Sequence, residues 1–447
     1  MKLFYALIIL FFSSSCSFDK KTGIWKNSEN ISDNKDIKKN DQLKDFKTLM
    51  TSTELFNEVI TVNDKFKFQL SKPINNSKWS DIFFQHNNST KNFKFNGSRE
   101  LIFKSKKITK FKSNNYILYK ENHILISDVR GNISIFSIKE NKVIKKFNFY
   151  KKKYKNLDKS LNLILDKNTI YVSDNIGYLY AYDLEKNKIL WANNFKIPFR
   201  SNLKITKNKL ILSNQNNSVF FIDKLSGKML KMIPTEEISL KNQFSNSLSL
   251  NKEQNLLFFL NTYGSLYSIN TNSMSVNWFI NLNQSSNINP SNLFSSNQIV
   301  NNSRYVAVPS NESLYLVDLN NGSIFKKFNF SIKIKPLIID NYLFLVTKNN
   351  LLISLELKTG DIIFSYDIKS HLSKFLNINK KKIEYKNLLV LNNSIFIFLK
   401  DNYLLQYSIK GQFKDIYKLP SRIHSQPIII DSFIIYLGNK NKIFIYG

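Results

Sequence analysis

The sequence predicts an all-β protein, a single eight-bladed β-propeller of four-stranded antiparallel blades, and three observations carry that prediction. One segment recurs eight times, the apolar runs are short and strand-like, and Asn, Asp and Gly follow them at fixed offsets. The clearest copy is GYLYAYDLEKNKILW, from Gly177 to Trp191. Copies starting at Asn217, Gly264, Glu312 and Asn350 align beneath it, with weaker ones at Gly131, Asn402 and Asn441. Successive starts lie 46, 40, 47, 48, 38, 52 and 39 residues apart, the repeat length of a propeller blade.

Each unit has a physical reading. A run such as NTIYVSD (Asn168 to Asp174) or NKLILSN (Asn208 to Asn214) forms a strand, and a tight turn returns the chain into the motif strand. In that strand Leu179 and Ala181 face one side and Tyr178, Tyr180 and Tyr182 the other, so both faces must be covered. Asp183, Asp223, Asn270, Asp318 and Glu356 end the strand, where a short acceptor bonds the backbone of the turn. Four residues on stand Asn187, Gly227, Gly322 and Gly360, types that accept positive φ; Met274 departs from that pattern. Trp191, Trp278 and Phe364 close their units with a ring that would pack on the next blade. The last copy ends at Gly447 with no room for an outer strand, so a strand from within residues 93 to 120 is expected to complete that blade.

The front of the chain differs in character. Met1-Lys2, an apolar run from Leu3 to Phe12, then Ser13-Ser14-Ser15 before the sole cysteine, Cys16, read as an export signal too short to span a bilayer. Residues 16 to 64 read as a flexible tether, with a short helix suggested by Phe46, Leu49, Met50, Phe56, Val59 and Ile60. The propeller is expected over 65–447. One cysteine excludes an internal disulfide framework and Cys-rich metal sites.

A net charge of +32 raises the question of nucleic acid, yet only five of the 65 basic residues are Arg (Arg99, Arg130, Arg200, Arg304, Arg422). Base readers and phosphate clamps favour the Arg fork, so no nucleic-acid partner is expected. The runs Lys106-Lys107, Lys145-Lys146, Lys151-Lys152-Lys153 and Lys380-Lys381-Lys382 read as solvated loops.

The pattern Ala-x-Asp-x-x-Thr-Gly-x-x-x-Trp marks quinoprotein-like propellers; Ala181, Asp183 and Trp191 match it, as do Thr359 and Gly360 in a later unit. Trp79 looks like the tryptophan that opens such propellers. Small residues before Cys16 are similar to a bacterial lipoprotein signal, which implies cleavage after residue 15, lipidation of Cys16 and, from Ser17, sorting to the outer membrane. Together these features resemble the BamB family of outer-membrane assembly lipoproteins. The resemblance implies a non-catalytic scaffold on the periplasmic face of the outer membrane. Its partners would be the POTRA domains of a BamA-like barrel protein and unfolded outer-membrane clients. Ile197, Phe199 and Arg200 match the family's apolar-x-apolar-Arg contact and are the expected partner-binding residues; the family's Asp-x-Asp has no counterpart around Asn242 to Asn246.

No cofactor, metal or catalytic residue is expected. His86, His123, His371 and His424 lack metal-ligand spacing. Two rival readings remain: a PQQ-dependent dehydrogenase-like enzyme, with a quinone and Ca²⁺ in the central funnel, and a propeller binding a polyanion or glycan through Lys-rich rims.

Overall fold

A computed structural model describes residues 16–18, 25–27, 55–150, 154–237, 244–283, 294, 296–310, 312–376 and 383–447. The chain forms two compact units, Met1–Thr53 and Glu54–Gly447. In the first, Cys16–Phe18 pairs antiparallel with Trp25–Asn27; the expected signal segment lies outside the described residues. In the second, the eight sheets are arranged as eight successive blades.

Blade 2 shows the plan: Leu161–Asp166, Thr169–Asp174, Tyr178–Asp183 and Lys188–Asn194 pair in order, each antiparallel to the last. Blade 1 (Ser113–Lys120 to Lys142–Asn148) gains a fifth strand, Lys78–Trp79, on its first. Blades 3 to 7 begin with Lys204–Thr206, Ser247–Asn251, Val300–Asn301, Leu337–Ile339 and Tyr385–Leu391. First strands of successive blades touch one another, as Lys204–Thr206 touches Ser247–Asn251, which touches Val300–Asn301. They therefore ring the axis, and the fourth strands lie outermost. Burial agrees: Ser247–Asn251 is buried throughout, whereas Lys142–Asn148 alternates exposed and half-buried.

The ring is closed as the sequence requires. Ile428–Ile430, Phe433–Leu437 and Ile443–Tyr446 form three strands of blade 8, and Leu101–Lys104 supplies the fourth, with Phe444 opposite Lys104 and Ile445 opposite Phe103. Two sheet edges that would otherwise stand open are thereby paired.

The turn chemistry also follows the repeat. Asp183 Oδ1 accepts from the amides of Glu185 and Lys186 at 2.9 and 2.8 Å, and Asp223 Oδ1 from Leu225 and Ser226. Gly227 and Gly322 donate to the carbonyls of Asp223 and Asp318 at 2.8 and 3.0 Å and take φ of +72° and +77°. Met274 adopts the same φ, +56°, and the same bond to Asn270, so the turn holds although the residue type is unfavourable. A β-bulge follows in each of these blades, at Ala181/Tyr182 in blade 2.

Those glycines do a second job. The ring of Trp191 lies on Gly227 of the next blade, where a Cβ would come within 2.5 Å of it, and Trp278 lies likewise on Gly322. Each indole N–H donates across the same junction, Trp191 to Lys224 O at 3.0 Å and Trp278 to Leu319 O at 3.1 Å. Phe364 meets Gly411 in the same way. Adjacent blades are thus locked by ring-on-backbone contacts.

The expected short helix is not formed where the structure describes it. From Leu55 the chain runs extended along blade 6; Phe46, Leu49 and Met50 lie outside the described residues. Ile60 exchanges two backbone hydrogen bonds of 2.9 Å with Ser365 of the outer strand Asp361–Asp367. Phe68 packs on Tyr342, their centroids 4.7 Å apart, and the Val62 amide donates to Tyr366. Of the apolar residues that suggested a helix, Phe56 and Ile60 contact the propeller, Phe56 through the ring of Phe330, whereas Val59 is exposed. A nine-residue helix, Ile368–Leu376, follows blade 6.

Candidate functional site

A propeller places its candidate site where the first strands converge, and here the chain itself enters that space. Between Asn76 and Phe93 the backbone visits the first strand of every blade. Lys78–Trp79 pairs with blade 1, and Ser80 O accepts from Leu165 of blade 2 at 2.8 Å. His86 O accepts from Leu250 of blade 4, Asn87 O from Asn301 of blade 5, and Ser89 Oγ from Ile338 of blade 6. Phe93 donates to Val390 of blade 7, and Asn76 Nδ2 to Ile429 of blade 8 at 2.8 Å. Asn88 Nδ2 alone donates to Leu248 O and Ile299 O, both at 2.8 Å.

The blade 3 contact is an ion pair. Lys204 Nζ lies 2.8 Å from Asp81 Oδ2, with side-chain exposures of 0% and 3%. Burial pulls the Lys204 ammonium below its ordinary range and the Asp81 carboxylate opposes that shift. Gln85 O is a second acceptor at 3.2 Å. Near it, burial and the charges of Lys204 and Lys252 lower His86 to about 3, so this imidazole is neutral at physiological pH.

This internal plug separates two cavities. One, of about 470 Å³, is lined among others by Lys72, Lys91 and Lys252 and by Glu253 and Asp340. The other, of about 790 Å³, takes Lys112, Lys333, Lys335, Lys386 and Lys400 but only one carboxylate, Glu384. Lys335 reaches inward to the plug, donating to Asn88 O at 2.6 Å, and burial lowers it to about 7. Burial and the neighbouring Lys400 lower Lys386 to about 8.

A quinone–Ca²⁺ centre was one rival expectation, and the residues of the funnel do not fit it. The channel is crossed by the chain's own backbone, and no group of three or more His, Cys, Asp or Glu side chains converges among the described residues. His86 is in the plug, and His424 Nε2 sits 2.7 Å from Ser113 O; His371 stacks on Phe413 with centroids 5.0 Å apart.

The expected partner contact needs one correction. Phe199, one of the three expected partner-binding residues, is 2% exposed, too buried to serve as an apolar anchor for a partner. It packs edge-on against Phe195 and Phe220, and its backbone bridges to Asn214. Ile197 and Arg200 remain half-exposed, and Arg200 Nη2 donates to Gln215 at 3.4 Å. Cys16 lies in the first unit's two-stranded ribbon. Of the lysine runs, 151–153 and 380–382 lie outside the described residues, and Lys145-Lys146 is on the outer strand of blade 1.

Fold and repeat together define an eight-bladed propeller of the PQQ-repeat type whose channel is filled by its own N-terminal segment. The family model described as "Outer membrane protein assembly factor BamB" matches residues 130–366, more than half of the chain, and the chain belongs to that family. Among solved structures, BamB from Moraxella catarrhalis superposes with a TM-score of 0.60 at 11% identity, covering 78% of this chain and 99% of that one. The quinohemoprotein alcohol dehydrogenase ADHIIG from Pseudomonas putida HK5 gives 0.60 at 9% identity, over 83% and 80% of the two chains. Sqt1 from Saccharomyces cerevisiae gives 0.57 at 12% identity, over 76% and 99%. At such identities these likenesses speak to fold alone. Comparison with curated protein sequences finds no match.

The plug and the convergent lysines were missed in the sequence. A signal for the lysines existed: Lys112, Lys204, Lys335 and Lys386 each stand at or within two residues of the start of a blade's first strand.

Proposed function

We propose that the protein is a non-catalytic scaffold of an outer-membrane protein assembly machine, lipid-anchored through Cys16 at the periplasmic face. It docks on the POTRA domains of a BamA-like barrel protein and assists insertion of outer-membrane clients. Family membership supports the assembly role. The single observation that carries the non-catalytic part is the plug: residues 76–93 occupy the place where a propeller enzyme would gather its reactants. What is left for binding is the outside of the ring and the two mouths. Ile197 and Arg200 are the proposed partner contacts, since an accessible Arg beside an apolar side chain makes a typical interface anchor.

The test is an affinity capture of the lipidated protein from its own membranes, followed by mass spectrometry. A BamA-like barrel protein is the expected co-purifying partner. Its absence, with a bound quinone in its place, would overturn the scaffold reading. In a reconstituted complex Arg200→Ala should weaken binding about tenfold without lowering the melting temperature; unchanged affinity removes Arg200 from the interface.

A further inference from the structure

The two mouths of the channel differ in a way that the chain's average charge does not explain. The smaller one holds three lysines against two carboxylates, and the larger holds five against one. Glu384 is engaged by Lys400 at 2.8 Å, and the Lys335 ammonium is held by Asn88 O. Among the described residues, no ion pair or side-chain hydrogen bond holds the ammonium of Lys112, Lys333 or Lys386. Three ammonium groups, those of Lys112, Lys333 and Lys386, therefore line one cavity whose single carboxylate among the described residues is already engaged by Lys400.

Such an arrangement is costly when empty, because like charges raise one another's free energy in a confined space. Burial and the neighbouring charge of Lys400 lower the proton affinity of Lys386. Lys386 lies in the first strand of blade 7, Lys112 directly precedes that of blade 1, and Lys333 lies four residues before that of blade 6, beside the bridge of Ile332 to Thr347, so the ring brings the three together. Around them stand amide and hydroxyl groups, including Asn115, Asn387 and Gln426, and the Gln426 Oε1 is buried without a partner among the described residues.

We propose that this mouth is a binding site for a phosphate-bearing anion of two or more negative charges, gripped by Lys112, Lys333 and Lys386 over a floor formed by Lys335. A phosphate suits the site better than a lone carboxylate. Its several oxygens accept from several ammonium groups at once, and its charge balances more than one of them. Lysines bind it as point charges, so the absence of an Arg fork is no obstacle. The floor links the ligand to the plug, since Lys335 holds Asn88, whose amide in turn holds blades 4 and 5.

The probe is inorganic tripolyphosphate, titrated calorimetrically into the full chain, with melting temperature as a second readout. Saturable binding is expected, lost at least tenfold in Lys112→Gln/Lys386→Gln and changed less than twofold in Lys72→Gln/Lys91→Gln at the other mouth. Equal losses in both variants, or no saturable binding to the wild type, would overturn the proposal. Without anion, Lys386→Gln should melt at a higher temperature than the wild type, because a confined charge has been removed; a lower one would show that Lys386 already has a partner and would also overturn it. Vesicles of phosphatidylglycerol distinguish the sources: displacement of tripolyphosphate by them assigns the site to a membrane headgroup, and its persistence assigns it to a soluble phosphate. Loss of the barrel partner in the capture experiment leaves this result untouched, so the two readings fail separately.

Discussion

The inner and outer edges of the eight sheets meet opposite fates. Every inner strand is engaged by the segment 76–93, through backbone, Asn or Ser side chains, or the Asp81–Lys204 pair. At the outer edges, blade 6 is covered by the strand-like addition of Ile60 to Ser365. There Phe364 and Ser365 are fully buried, whereas on the equivalent strand of blade 3 Met229, Leu230 and Met232 are 55%, 43% and 44% exposed. Equivalent positions of one repeat are thus core in one blade and surface in another. What decides is a segment from outside the repeat, and a single stretch of chain, residues 55 to 93, supplies both the outer cover and the inner plug.

The contrast can be broken from the inside first. Asp81→Ala leaves Lys204 charged and buried without its partner and should destabilise the fold by about 3–5 kcal/mol. Asp81→Ala combined with Lys204→Met should recover much of that loss in urea unfolding; no recovery would mean the pair is not the plug's lock. Trp191→Ala, which empties the junction between blades 2 and 3, should cost about 2–3 kcal/mol. That is below the value for a fully buried indole, since the ring is only partly covered.

Next in size is a pH effect of the larger mouth. Lys335 and Lys386 are held at about 7 and about 8 instead of 10.5, so between those values and 10.5 the unfolded chain binds more protons than the folded one. Stability should therefore rise as pH increases from about 7 to about 10, by roughly 1–3 kcal/mol. Replacing both lysines by Gln should flatten the slope in chemical denaturation. At the outer edge the effect is smallest. Ile60→Pro removes the amide that bonds Ser365, and a loss of about 1–2 kcal/mol with the ring intact is expected. A loss as large as that of Asp81→Ala would show that the outer cover and the inner plug are one cooperative lock.

These edges also mark what could be read in the sequence. The repeat period, the Asp-to-Gly turns and the Trp-on-Gly junctions are local or nearly so, and the alignment of eight copies exposed them. Closure by an early strand followed from counting strands, and Leu101–Lys104 lies within the expected window. The plug left no such trace. Asn76, Asn87, Asn88 and Ser89 resemble any polar loop, and their partners lie 160 or more residues away. Phe199 was misjudged for a related reason: it lies between strands, where a pattern of alternation does not say which way the side chain turns. The lysines of the larger mouth form no run in the sequence, because the ring gathers single residues from distant blades.

The closure strand has a consequence for how the molecule comes into being. Ile445 faces Phe103 across the final junction, so one sheet is built from segments that lie far apart in sequence. Contacts so remote are slow to form, because a long loop must close before they bring any gain. Until that seam pairs, the edges of blade 8 stand open, so the ring passes through a stage in which strand edges are exposed to other chains.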